Sequence, residues 1–169
     1  MMEYYVLFVS PGREIDVRNT LFSLNIEALV PRENRLIRQR GLWINKEYTL
    51  FPCYVFIGLE QMSDSIYYKI KSIPHVKRFL GISAPEAISN EEAKRIGLLA
   101  PTNEALPPSV IEFDKYGTPH IISGVLQKIK PISYDKHRRR ALVDLSFGKI
   151  KHKAEFSFTL AKKVKRKKD

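Results

Sequence analysis

Apolar positions along this chain recur with two periods, and the switches between them mark its elements. Tyr4-Tyr5-Val6-Leu7-Phe8-Val9 is a run of residues that favour a pleated surface. It ends at Ser10-Pro11-Gly12 and so predicts a buried first strand. From Arg13 to Leu24, Ile15, Val17, Leu21, Phe22 and Leu24 form a stripe at helical spacing, with Asn25 as a stop signal. Ile26 to Val30 predicts a second strand, stopped by Pro31. Residues 32–49 alternate polar and apolar about Gly41. This predicts a twisted hairpin, Arg35–Gln39 returning through Leu42–Tyr48, and its charges Arg32, Arg35, Arg38, Arg40 and Lys46 place it in solvent. Ser63 or Asp64 offers a side-chain oxygen to the first turn of a helix running to about Ser72, and Ile73-Pro74 ends it. Val76 to Leu80 predicts a short strand, and Ser89-Asn90-Glu91-Glu92 starts a third helix reaching about Leu99.

The uncharged stretch Leu50–Leu59 stands out. Phe51-Pro52 fits the entry to a strand, and Tyr54 to Leu59 continues it. Alternation puts Tyr54 and Phe56 on one face, with Gly58 leaving a gap beside them, and Val55, Ile57 and Leu59 on the other. The aliphatic face suits a core. The aromatic face either lies under a helix or forms an exposed docking surface.

The order β-α-β-hairpin-β-α-β-α predicts an α+β sandwich with helices covering one sheet face, near the split βαβ pattern, over residues 1–101. Thr102 to Ser109 is polar, contains Pro107-Pro108 and lacks periodicity, so residues 102–110 are read as a linker. Beyond it Val110–Phe113, Ile121–Ile129, Arg140–Phe147 and Ala154–Leu160 alternate as strands between turns. They predict a small β-barrel over residues 111–164, followed by a basic tail at 165–169.

Charge divides the chain at the same place. Residues 1–109 carry 13 Lys/Arg against 12 Asp/Glu, a net +1; residues 110–169 carry 16 against 6, a net +10. A near-neutral part joined to a strongly basic part suggests two tasks, the second a contact with nucleic acid, where phosphate neutralisation dominates affinity. Between Lys128 and Lys153 the basic residues Lys128, Lys130, Lys136, His137, Arg138, Arg139, Arg140, Lys149, Lys151 and Lys153 face only Asp135 and Asp144. Lys128 and Lys130 would share a strand face. The two basic turns would meet at one end of a barrel, with Tyr134 among them to stack on a base. An ordinary solvated basic face is the competing reading.

Catalysis finds no support in the pattern. His75, His120, His137 and His152 lack ligand spacing to one another or to Cys53, so no metal site or cofactor is implied. A phosphate-binding loop and a Gly-x-Ser-x-Gly elbow are both missing. The single cysteine suits a reducing compartment, and the start Met1-Met2-Glu3 lacks the basic region of a secretory signal, so the cytoplasm is expected.

In order and spacing, several motifs resemble the N-terminal domain of the NusG transcription-factor family: Tyr4-Tyr5-Val6-Leu7 with Gly12-x-Glu14, Ala28-Leu29-Val30-Pro31, Leu50-Phe51-Pro52-x-Tyr54-Val55-Phe56-Ile57, Ile73-Pro74-x-Val76 with Phe79-Leu80-Gly81, and Ser89-x-Glu91-Glu92. Ser123-Gly124-Val125 through Arg138-Arg139-Arg140-Ala141 to Phe147-Gly148 looks like the family's C-terminal KOW barrel, an SH3-like fold. The resemblance implies an elongation factor, not an enzyme, that docks on the clamp helices of the largest RNA polymerase subunit and suppresses pausing. Its docking surface would include Phe8, Tyr54, Phe56 and Phe79. Three departures stand out: Cys53 replaces a glycine usual in the general factor, Lys115-Tyr116-Gly117-Thr118-Pro119 stands where the KOW domain usually opens with Gly-Asp-x-Val, and the Lys136–Arg140 run is heavier. The chain therefore looks most like the LoaP group of antiterminators. That likeness implies a monomer whose barrel binds an RNA hairpin in nascent leader RNA, and it leaves contact of the Arg35–Arg40 hairpin with non-template DNA open. The alternatives are a general factor whose barrel binds protein partners and a ribosome-associated RNA-binding structural protein.

Overall fold

Two sheets and a projecting hairpin carry the chain in the computed structural model, which describes residues 2–161. Strands β1 (Glu3–Val9), β2 (Glu27–Leu29), β5 (Tyr54–Leu59) and β6 (Val76–Phe79) form the first sheet, in the order β2-β5-β1-β6 with every pair antiparallel. Strands β3 (Arg32–Gln39) and β4 (Leu42–Thr49) pair only with each other in the sheet sense, through a turn at Arg40-Gly41 where both residues have positive φ.

Helices α1 (Glu14–Ser23) and α2 (Asp64–Lys71) cover one face of this sheet. Val17 and Leu21 of α1 and Ile70 of α2 pack on Leu7, Val9, Val55, Ile57 and Leu59. Each fully buried aliphatic of this kind contributes about 1.5–3 kcal/mol relative to exposure. Asn25 ends α1 in the left-handed region at φ 61°, and Ser63 caps α2 by accepting from the Ile66 N–H. Helix α3 (Asn90–Leu99) departs from the one-sided arrangement: its Ile96 and Leu99 join the opposite face, with Val6 and Phe56. Ser89 and Glu92 form a full capping box at its start. The gap expected at Gly58 is filled, since Met2, Tyr4 and Glu27 close over it.

The second sheet contains β7 (Ser109–Phe113), β8 (Pro119–Ser123), β9 (Ser133–Asp135), β10 (Arg140–Asp144) and β11 (Lys153–Leu160), in the order β8-β7-β11-β10-β9. Its first and last strands, β7 and β11, pair in parallel, and Phe113, Tyr134 and Phe158 meet in its interior. Tyr134 is thus a half-buried packing residue and not a free stacking platform; burial raises its hydroxyl pKa. The single strand expected over Ile121–Ile129 is broken. Gly124, at φ 103°, turns the chain over Ser109, and a 3-10 turn follows at Val125–Gln127. A Cβ at Gly124 would lie 2.6 Å from the Ser109 Cα, so the reversal needs glycine. Lys128 and Lys130 follow this turn and do not alternate along a strand. The last residues assigned to the barrel, 162–164, and the tail at 165–169 lie outside the described residues.

Candidate interaction surfaces

The two-faced reading of β5 sorts its neighbours as well. Cross-strand register sets Phe8 opposite Tyr54 and Val6 opposite Phe56, so all four share the face away from α1 and α2. The Phe8 and Tyr54 rings lie 5.9 Å apart, and Lys77 and Arg78 approach the Phe8 ring at 5.1 and 5.5 Å. Phe79 is on the other side. It pairs with Leu7, is buried among the helix-side residues, and stacks on Tyr67 of α2 at 5.2 Å. Alternation along β6 makes this unavoidable, because Arg78, opposite Phe8, takes the shared face.

That face is covered. Phe56 is 0 % exposed, and Phe147, from the loop after β10, sits over it. The Phe147 ring meets Tyr54 and Phe56 edge-on at 5.3 Å each and Phe51 at 5.7 Å. Polar contacts ring the cluster. His152 Nε2 lies 2.7 Å from the Leu50 carbonyl oxygen, and the Gly148 N–H donates to Glu92 Oε2 at 2.5 Å. Arg95 donates to the Ser146 carbonyl. Burial of Glu92 opposes its charge, but donors from Gly148 and Ser89 hold its pKa below the usual carboxylate value.

A second seam joins the β3–β4 hairpin to β11. Both oxygens of Glu33, 1 % exposed, accept the Ser157 N–H at 3.1 Å, and Arg35 pairs with the same carboxylate while donating to the Glu155 carbonyl. Burial pushes the Glu33 pKa up, against the lowering influence of Arg35, Ser157 and Arg140. The linker is tied down too: the Asn34 N–H donates to the Leu106 carbonyl at 2.7 Å, and the Leu106 N–H to that of Arg32 at 2.8 Å.

Cys53 lies at φ 74°, in the left-handed region that a glycine occupies without cost. Its N–H donates to Glu14 Oε1 at 2.9 Å and its carbonyl accepts from Val9. The turn therefore has the backbone shape of a glycine turn while carrying a side chain.

The basic residues do not form one patch. Lys136, His137, Arg138 and Arg139 are exposed at the turn before β10, whereas Lys149, Lys151 and Lys153 are exposed after its other end. A strand's length separates the two groups, because successive turns of a β-meander lie at opposite ends of the shared strand. Arg138 forms a fork with Glu155 at 3.2 and 3.4 Å, and Asp135 caps the turn by accepting the Arg138 N–H at 3.0 Å. Arg140 is half-buried, and its guanidinium donates to the carbonyls of Arg138 and Arg139.

The sequence reading missed Phe147 and Glu33. Phe147 reads as a strand end, and only the glycine that follows it hints at a separate use. Glu33 is one acidic residue amid arginines, and the sign of its environment offered a clue.

An α/β unit with one aromatic sheet face, joined to a small β unit with basic turns, is the architecture of a two-part binding protein; no group of acidic, His or Cys side chains suited to a metal ion occurs among the described residues. Residues 2–97 match the family described as "NusG: Transcription termination factor nusG". The chain belongs to the NusG family of transcription termination/antitermination factors, which are transcription factors and not enzymes. It is 27 % identical to the transcription termination/antitermination protein NusG of Helicobacter pylori over 163 residues, covering 88 % of this chain and 92 % of that protein. It is 29 % identical to the NusG of Pasteurella multocida over 129 residues, covering 73 % and 69 %. The solved structure reported as "Domain interaction in Thermotoga maritima NusG" superposes with a TM-score of 0.58 at 20 % identity over 93 % of this chain and 94 % of that one, a likeness of fold. No helix among the described residues is long and apolar enough to cross a membrane.

Proposed function

We propose that this protein is a specialised antiterminator of the LoaP type that docks on RNA polymerase and binds nascent leader RNA, with residues 1–101 as the docking domain, 102–110 as the linker and 111–164 as a KOW-type barrel. The observation that carries the docking half is the aromatic face itself: Phe8, Tyr54 and Phe56 lie side by side on one sheet face, rimmed by Lys77 and Arg78. Clustered aromatics inside a polar rim are what an interface hot spot requires, and docking here displaces Phe147, which covers Tyr54 and Phe56 in this structure. The clamp helices of the largest polymerase subunit are the partner, and Phe79 supports the face from beneath. The exposed turn at Lys136–Arg139 supports the RNA half, because arginines and lysines there meet phosphates and accessible base edges of a hairpin. Lys149, Lys151 and Lys153 provide a second contact at the far end of β10, and Lys128 and Lys130 a third.

The docking half is tested by co-purification with polymerase. Phe8→Asp and Tyr54→Asp, each checked for folding, should abolish association, and retention would reject this face. For the RNA half, Arg138→Ala, Arg139→Ala and Arg140→Ala combined should weaken hairpin binding at least tenfold in a titration at fixed salt; unchanged affinity would reject it. A second reading, a general factor whose barrel binds protein, draws on the exposed Tyr116, Ile122 and Ile132 on the second sheet unit. Binding of a protein partner blocked by Ile122→Asp, without RNA affinity, would favour it.

A further inference from the structure

The seam between the β3–β4 hairpin and β11 opens outward into a cleft of about 720 Å³, and its walls come from both units. One wall is the hairpin, with Leu36, Arg38 and Trp43; the other is the turn His137–Arg140 with the edge of β11. Trp43 is 62 % exposed, and the Arg38 guanidinium lies 5.8 Å from its ring centroid, so much of the indole is open to solvent. No Asp or Glu lines the cleft. Arg138 is neutralised in part by Glu155, but the Arg139 guanidinium has no carboxylate partner among the described residues. Arg139 also sits at φ 56°, at the apex of its turn.

An exposed indole opposite uncompensated cations, with no acid nearby, suits a ligand that is flat, apolar on its faces and anionic along its spine. We propose that this groove binds a short single-stranded nucleic acid segment, one base stacked on Trp43 and adjacent phosphates held by Arg139 and Arg38. This inference rests on the RNA-binding reading above and narrows it: the strand is gripped between the two units instead of by the barrel alone. Base–aromatic stacking is sequence-tolerant, and the phosphate contacts make binding steeply salt-dependent. Because both walls are needed, the strand binds the arrangement in which Phe147 covers Tyr54 and Phe56, so occupancy of this groove precedes docking at that face and is given up when the face opens.

Trp43 is the only tryptophan of the chain, so its fluorescence reports directly on the groove. The full chain is titrated with the octanucleotides U8 and dT8, following Trp43 emission and, separately, the anisotropy of end-labelled oligomer. Saturable quenching that tracks anisotropy is expected. Quenching by either oligomer supports the groove, and the tighter of the two identifies RNA or DNA as the source. Trp43→Ala, an exposed position, should weaken binding about 5- to 150-fold, the worth of one stacked base. Arg139→Gln should reduce the slope of log affinity against log salt by about 0.7, the value for one single-strand phosphate contact. Oligomer that binds by anisotropy with Trp43 emission unchanged, or quenching indifferent to Arg139→Gln, overturns the groove while leaving barrel binding standing. No anisotropy change with U8, dT8 or a hairpin RNA overturns the RNA reading itself.

Discussion

Truncating Phe147 to alanine should separate the two units without unfolding either. The ring makes three edge contacts, at 5.3 Å to Tyr54, 5.3 Å to Phe56 and 5.7 Å to Phe51, all on the first unit. Each such pair is worth about 0.5–1.5 kcal/mol beyond the area it buries. Removing a buried phenylalanine costs about 3–5 kcal/mol in all. The contacted rings belong to the first unit, so most of this loss falls on closure. A loss of about 3 kcal/mol there corresponds to a shift of roughly 150-fold toward the open state. Backbone 15N relaxation measures this directly. In the native chain both units should tumble with one correlation time; in Phe147→Ala the second unit should tumble faster, while the β10–β11 amides keep their shifts. Two outcomes refute the reasoning. If a single correlation time persists, Glu33, Arg95 and His152 hold the units together alone. If the β10–β11 amides disperse or vanish, Phe147 serves the second unit's own core and not the seam.

Cys53→Gly should raise unfolding stability by about 1 kcal/mol, the cost of a side chain in the left-handed region, read from denaturant midpoints; a loss of stability would show that the Cys53 side chain packs for gain. Gly124→Ala should cost about 3 kcal/mol by the same measurement, because its methyl group collides with Ser109 backbone. Glu33 has a higher pKa folded than unfolded, so folding takes up a proton between the two values. Its contribution to stability is therefore greatest below the unfolded value and falls as pH rises through the raised folded value. The difference in unfolding free energy between wild type and Glu33→Gln should follow that curve, and a difference rising with pH would contradict the burial argument.

The elements of the first unit were readable because each rests on local rules. The strand period at Tyr4–Val9, the Ser89–Glu92 capping box and the two-faced β5 need no distant partner to be recognised. Phe79 was misplaced because its face depends on the register of β6 against β1, which a four-residue strand does not specify. The Ile121–Ile129 segment misled because its apolar run fits a strand until Gly124 is known to pass over Ser109, a contact between residues far apart in sequence. The basic residues were legible as chemistry but not as geometry: the three-residue strand β9, too short to show a period, fixes which end of β10 each turn occupies. Covering of the aromatic face was invisible for the same reason, since Phe147 and Phe56 are joined only by the closed fold.

The linker contacts at Leu106 give the covering a further meaning. A segment held against Arg32 and Asn34 keeps the second unit beside the aromatic face even when Phe147 has left it. Such a short tether confers an effective concentration on the order of millimolar. Any partner seeking Tyr54 and Phe56 therefore competes with an occupant that never diffuses away, and its apparent affinity is reduced by the closing equilibrium. Stray contacts are filtered out by that handicap. A partner that also engages the released second unit overcomes it, so the seam acts as a threshold set by the chain's own geometry.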